Sequence, residues 1–99
     1  MCVVRWSIVR AKAHVVFRGV VQGVNFRAHC RGQALGVGLT GWVRNREDGS
    51  VEAVFEGDRR TIEDAIAWNQ TSQPHAEVSA IEVTWSPPAD EFRRFEILR

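Results

Sequence analysis

The chain has 99 residues and a formal net charge of +1, with 44% hydrophobic and 25% charged residues. That length gives one domain, 1–99, with enough chain to build a core (about 9–98) without disulfide or metal support. The composition excludes a disordered or low-complexity chain, and the near-neutral charge argues against a broad nucleic-acid or membrane surface.

Residues 1–10 are interrupted by Arg5 and Ser7 and hold no sustained apolar run, so no signal peptide is expected. Residues 9–18 alternate, with Ala11, Ala13, Val15 and Phe17 on one parity and Lys12, His14 and Arg18 on the other. This period of two predicts a strand with one buried face. Residues 19–25, bounded by Gly19 and Gly23, read as a loop. Phe26, Cys30, Ala34 and Val37 then form the stripe of an amphipathic helix, which Gly36 and Gly38 end.

Residues 39–46 read as a second strand, with Leu39, Gly41 and Val43 facing one way. Asp48-Gly49 marks a hairpin turn, and Val51, Ala53 and Phe55 mark the third strand. Asp58 or Thr61 caps a second helix, whose inner face is Ile62, Ala65, Ile66 and Asn69 with Trp68 at the edge. A loop containing Pro74 leads to a fourth strand over 78–85. Pro87-Pro88 breaks it, because proline cannot continue a ladder, and 92–98 read as a short fifth strand. The order is βαββαβ plus a short strand: a ferredoxin-like α+β sandwich with two helices on one face of an antiparallel sheet. The expected sheet order is 4-1-3-2, and periodicity does not place the last strand. Fold alone does not fix function.

Twelve of the thirteen basic residues are arginine, Lys12 being the single lysine. Most of these read as composition bias spread over the surface. Cys2 and Cys30 make no disulfide framework and read as free thiols, Cys30 in the core, so a reducing cytoplasmic location is expected. No apolar stretch is long enough to span a bilayer. His14, His29 and His75 lack ligand spacing, so no metal and no cofactor is expected. The four tryptophans read as packing, and no RNP-like aromatic strand is present, so no nucleic acid is expected. Glu47, Asp48, Glu52 and Glu56 read as a solvated hairpin, and Arg44 and Arg46 as surface charges.

The chemistry concentrates in residues 19–27, where a strand runs through a tight loop straight onto a helix. The first N–H groups of a helix have no backbone partner and carry partial positive charge. Successive inward N–H groups of a loop make a nest for an anion. Gly19 and Gly23 can take positive φ, and Arg27, just inside the helix, can fold back to grip a phosphate through two parallel hydrogen bonds. The loop is no Walker A. On these residues alone it fits either a phosphate cradle or an ordinary βα turn with glycine punctuation.

Gly19-Val20-Val21-Gln22-Gly23-Val24-Asn25-Phe26-Arg27 closely resembles the acylphosphatase signature G-x-V-Q-G-V-x-F-R, and Gly41-Trp42-Val43-Arg44-Asn45 resembles the same family's G-W-V-R-N. The run from Val83 to Ile97 resembles bacterial members, so the likeness covers about 11–99. Asn25 fills the variable position of the first signature. Gln73-Pro74 stands where Gly-Pro is common. The resemblance implies hydrolysis of acyl phosphates, such as carbamoyl phosphate or 1,3-bisphosphoglycerate, to a carboxylate and inorganic phosphate. It implies a phosphate-binding loop at Gly19, Val20, Val21, Gln22, Gly23 and Val24. Arg27 becomes the phosphate-binding arginine and Asn45 the residue that orients the attacking water. A small-molecule acyl phosphate is the expected partner, inorganic phosphate or sulfate the expected inhibitor, and a monomer the expected state. The alternative is a non-catalytic acylphosphatase-like domain that binds a phosphorylated ligand or partner, as within larger maturation proteins.

Overall fold

A computed structural model describes residues 9–99. Cys2 and most of the stretch read against a signal peptide lie outside the described residues. The elements run β1 (Arg10–Val20), α1 (Phe26–Gly36), β2 (Thr40–Asn45), β3 (Val51–Asp58), α2 (Arg59–Thr71), β4 (Glu77–Ser86) and β5 (Phe95–Ile97). The sheet order is β4-β1-β3-β2-β5. The first four positions are the expected 4-1-3-2. β5 adds to the free edge of β2 in parallel, with Gly41 opposite Phe95 and Val43 opposite Ile97. The sheet is therefore mixed and not wholly antiparallel. After Pro87-Pro88 the chain crosses from the β4 edge to the β2 edge, and it arrives running in the direction of β2.

The period-two residues explain which face is covered. Ala13, Val15 and Phe17 of β1, Val43 of β2, and Val51, Ala53 and Phe55 of β3 are all fully buried. They meet Phe26, Cys30 and Ala34 of α1 and Ile62, Ala65 and Ile66 of α2. Phe17 packs on Phe26 with ring centroids 5.1 Å apart, and Phe55 on Phe95 at 5.4 Å. Each such ring contributes about 2 kcal/mol through removal from water. Asp58 is the cap of α2, its Oδ1 accepting from the Arg60 N–H at 2.9 Å.

Three further expectations need correction. Val37 is not on the inner stripe of α1: it is the C-cap and is 45% exposed. β1 does not stop at Arg18 but continues through a bulge to Gly19 and Val20, which pair with Val78 and Glu77 of β4. A Cβ at Gly19 would run into the Glu77 carbonyl oxygen and lie 2.8 Å from the Ser79 nitrogen, so glycine is what lets the two strands close there. Glu56 is not solvated: it is 1% exposed, and its Oε2 accepts from the N–H groups of Ala89 (2.6 Å) and Asp90 (3.2 Å). The crossing segment covers it.

The outer face also carries ion pairs that link stability to pH. Glu52 accepts from His14 Nε2 at 2.5 Å and from Arg44 Nε at 2.6 Å. Burial works against its charge, but these bonds hold its carboxyl below the usual glutamate range. The Ser50 hydroxyl and N–H hold the Asp48 carboxyl down at about 2, from an ordinary 3.8. Both carboxyls are depressed in the fold, so their contribution is complete above the ordinary carboxylate range and is lost as pH falls through the lowered pKa, which for Asp48 lies at about 2. Glu52→Ala and Asp48→Ala should each shrink the drop in melting temperature between pH ~5 and pH ~2. Thermal melts across that range check this; an acid limb as steep as the parent's in both variants would refute it.

Candidate active site

The strand directions decide where the site forms. β3 is antiparallel to both β1 and β2, and β5 is parallel to β2. The C-terminal ends of β1, β2 and β5 therefore reach the same edge of the sheet. There β1 passes through residues 21–25 into α1, β2 ends at Asn45, and β5 ends at Ile97. A cavity of about 340 Å³ opens at this edge, lined by Val21, Gln22, Gly23, Asn25 to Ala28, Asn45, Ile97 and Arg99.

The loop is shaped by two left-handed residues, Gly23 at φ 77° and Asn25 at φ 60°. Glycine and asparagine are the residue types that occupy this region at least cost. Asn25 is the N-cap of α1, yet its side chain makes no capping bond, and no acidic residue lies in the first turn. α1 thus begins with N–H groups that no side chain caps, at the positive end of its dipole. α2, by contrast, is capped by Asp58.

Arg27, the second residue of α1, is half-buried, and its Nη1 donates to the Leu98 carbonyl at 3.4 Å. That contact leans the guanidinium toward the end of β5. Behind it, the buried Gln73 Nε2 donates to the Phe26 carbonyl at 3.0 Å and to Asn69 Oδ1 at 2.7 Å. Asn69 Nδ2 in turn donates to the Ala65 carbonyl. The first turn of α1 is therefore held from α2. Cys30 lies one turn further in, fully buried; burial pushes its thiol up, against the effect of its bond to Asn69. It stays protonated and is no nucleophile.

Of the residues singled out in the sequence, Arg27, Asn45, Val21, Gln22 and Gly23 line one cavity. Gly19 and Val20 lie on β1, outside the lining, and Val24 packs partly buried against the core. Gln22 spends its Nε2 on the carbonyls of Arg46 (2.8 Å) and Ser50 (2.9 Å). Ile97 and Arg99 enter the lining unannounced, since only the parallel placement of β5 brings them there. Asn25 was legible in part, because asparagine is among the few residue types besides glycine that enter the left-handed region.

Fold and site together define a small α+β domain with an anion-receptive strand–loop–helix junction beside a strand-end amide. The acylphosphatase family model matches residues 13–97. The chain is 53% identical over 88 residues to an acylphosphatase of Pelotomaculum thermopropionicum, covering 89% of this chain and 96% of that one. Among solved structures, the acylphosphatase of Bacillus subtilis superposes with a TM-score of 0.86 at 32% identity, covering 90% of this chain and 99% of that one. HypF of T. kodakarensis superposes at 0.77 with 32% identity, covering 88% of this chain but only 12% of that much longer one. The chain belongs to the acylphosphatase family, and it is an acylphosphatase enzyme by its resemblance to the acylphosphatases it matches along nearly their whole length.

The left-handed cap gives a direct test of the loop geometry. Asn25→Gly should leave stability near the parent's, whereas Asn25→Ala should cost about 1 kcal/mol, because the left-handed region is more costly for alanine than for asparagine and costs glycine nothing. Denaturant titration measures both. Equal midpoints for alanine and glycine would refute the left-handed assignment.

Proposed function

We propose that the cavity at the start of α1 is where the phosphoryl group of an acyl phosphate is held and hydrolysed. One observation carries this reading: Arg27 and Asn45, from separate motifs, line the same cavity at a helix N-terminus that no side chain caps. The loop N–H groups and Arg27 bind the phosphoryl oxygens and neutralise charge that builds on them. Asn45 orients a water toward phosphorus. The water oxygen bonds to phosphorus, the bond from phosphorus to the acyl oxygen breaks, and the carboxylate departs with that electron pair. The water's proton passes to a phosphoryl oxygen, since an amide is a poor base. The carboxylate is already a good leaving group, so positioning and charge stabilisation supply most of the catalysis.

The roles assigned to loop residues narrow accordingly. Val21 and Gly23 stay as backbone ligands, while Gly19 and Val20 serve the strand that presents them. Among the described residues no three His, Cys, Asp or Glu side chains gather to hold an ion; the proposed step calls for none, because its leaving group is already a good one. No described helix is long and apolar enough to cross a membrane. We read the protein as a monomeric cytoplasmic enzyme inhibited by inorganic phosphate or sulfate, the anions that the same loop N–H groups and Arg27 would hold.

Hydrolysis of acetyl phosphate by purified protein tests the reading. Arg27→Ala should lower kcat/KM by about 10²–10³-fold with the fold intact. Arg27→Lys should recover little, because an ammonium cannot reproduce the bidentate fork. Asn45→Ala should lower kcat and kcat/KM together, the signature of a contact made in the transition state. Near-parent turnover in Arg27→Ala, or a rise in KM alone for Asn45→Ala, would remove those roles.

A further inference from the structure

We infer that Gln22 is a positioning residue: its side-chain amide latches the anion-binding loop to the β2–β3 hairpin and so sets where Asn45 stands relative to the bound phosphoryl group. The inference rests on the reading of the site given above and changes the part that Gln22 plays in it.

A glutamine amide nitrogen carries two protons. Gln22 Nε2 reaches two carbonyl oxygens, Arg46 at 2.8 Å and Ser50 at 2.9 Å, so both protons are committed. The remaining Oε1 is an acceptor and repels an anion. The side chain of Gln22 is therefore no phosphate ligand, although its sequence position lies inside the loop signature.

The two acceptors are not arbitrary points on the hairpin. Arg46 N–H donates to the Ser50 carbonyl at 2.9 Å, and Gly49 N–H donates to the Arg46 carbonyl at 3.3 Å. These bonds close the turn immediately after Asn45. The amide of Gln22 thus caps the turn at its base and fixes both sides of it at once. Among the described residues, no other hydrogen bond joins residues 21–25 to residues 45–50. The loop and Asn45 otherwise come from different strands with β3 between them. In-line attack needs the water-orienting group placed to well within an ångström, and a misplacement of about 1 Å can cost about 10²-fold in rate. The exposed Arg18–Asp48 ion pair at 3.3 Å also ties β1 to the hairpin, but the two-pronged Gln22 bond is the one that reaches across this gap from the loop itself.

The test separates positioning from phosphate binding and from bulk stability. Gln22→Met keeps the length and loses both donors; Gln22→Ala is the second variant should methionine pack poorly. Each is assayed for kcat on acetyl phosphate, for inhibition by inorganic phosphate, for melting temperature, and again in an Asn45→Ala background. The expected result is a kcat lowered by about tenfold or more, with the phosphate inhibition constant changed by less than about threefold. In the Asn45→Ala background the same substitution should lower the residual rate by less than about twofold, because the group it positions is gone. A weakened phosphate inhibition constant with kcat retained would make Gln22 a phosphate ligand and overturn the inference. An equal loss in both backgrounds would make its role purely structural and overturn it too. Hydrolysis by the parent protein stands or falls separately, so failure of the underlying reading is told apart from failure of the latch.

Discussion

The first turn of α1 presents backbone N–H groups that no side chain of the described residues caps, and the rest of the site is arranged around that fact. A helix start is ordinarily satisfied by a Ser, Thr, Asp or Asn side chain, as Asp58 does for α2. At α1 the cap residue is Asn25, but its backbone is left-handed and its side chain makes no capping bond. The donors and the dipole are thereby free to meet an anion. The stability lost at this uncapped end is offset by packing: Phe26, the first helical residue, is buried against Phe17, and its carbonyl takes a bond from the buried Gln73. The helix start is held from behind so that its front can stay open.

The second requirement is that distant residues reach that front. Strand direction achieves this, since β1, β2 and β5 all end at the same edge. β5 is three residues long and could not hold its place through its own ladder. It is anchored by Phe95, fully buried, and by Arg31 Nε donating to the Phe95 carbonyl. The segment that leads to it is fastened by Glu56, whose carboxylate takes two backbone N–H bonds. A buried carboxylate is costly unless hydrogen-bonded, and here it secures a crossing segment with no regular structure of its own. The end of β5 then supplies Ile97 to the cavity and the Leu98 carbonyl to Arg27.

Much of this was legible in the sequence where local pattern governs. Ala11 to Phe17 alternate because one face of β1 is buried, and Phe26, Cys30 and Ala34 recur because one face of α1 is. The two signatures carried Arg27 and Asn45. What stayed hidden depends on partners far along the chain. Periodicity gave β5 a parity but no neighbour, so Ile97 and Arg99 could not be placed. Glu56 has the parity of a solvent-facing residue, and only the crossing segment makes it buried. Gln73 looked like a loop substitution, yet its amide reaches 47 residues back to Phe26. Gln22 sat within a phosphate-loop motif, but its amide is turned to carbonyls 24 and 28 residues ahead. Side-chain to backbone bonds of such span leave no mark on periodicity.

Whether the start of α1 holds an anion is read from the melting temperature of the protein in rising inorganic phosphate, at constant ionic strength, for the parent and for Arg27→Ala. A ligand bound only by the folded state at about ten times its Kd stabilises it by about 1.4 kcal/mol, which for a domain of this size is a rise of several degrees. That rise should appear in the parent, saturating with phosphate, and most of it should be lost in Arg27→Ala. A shift of equal size in both proteins, or none in the parent, would show that the junction between β1 and α1 is a turn and not an anion site.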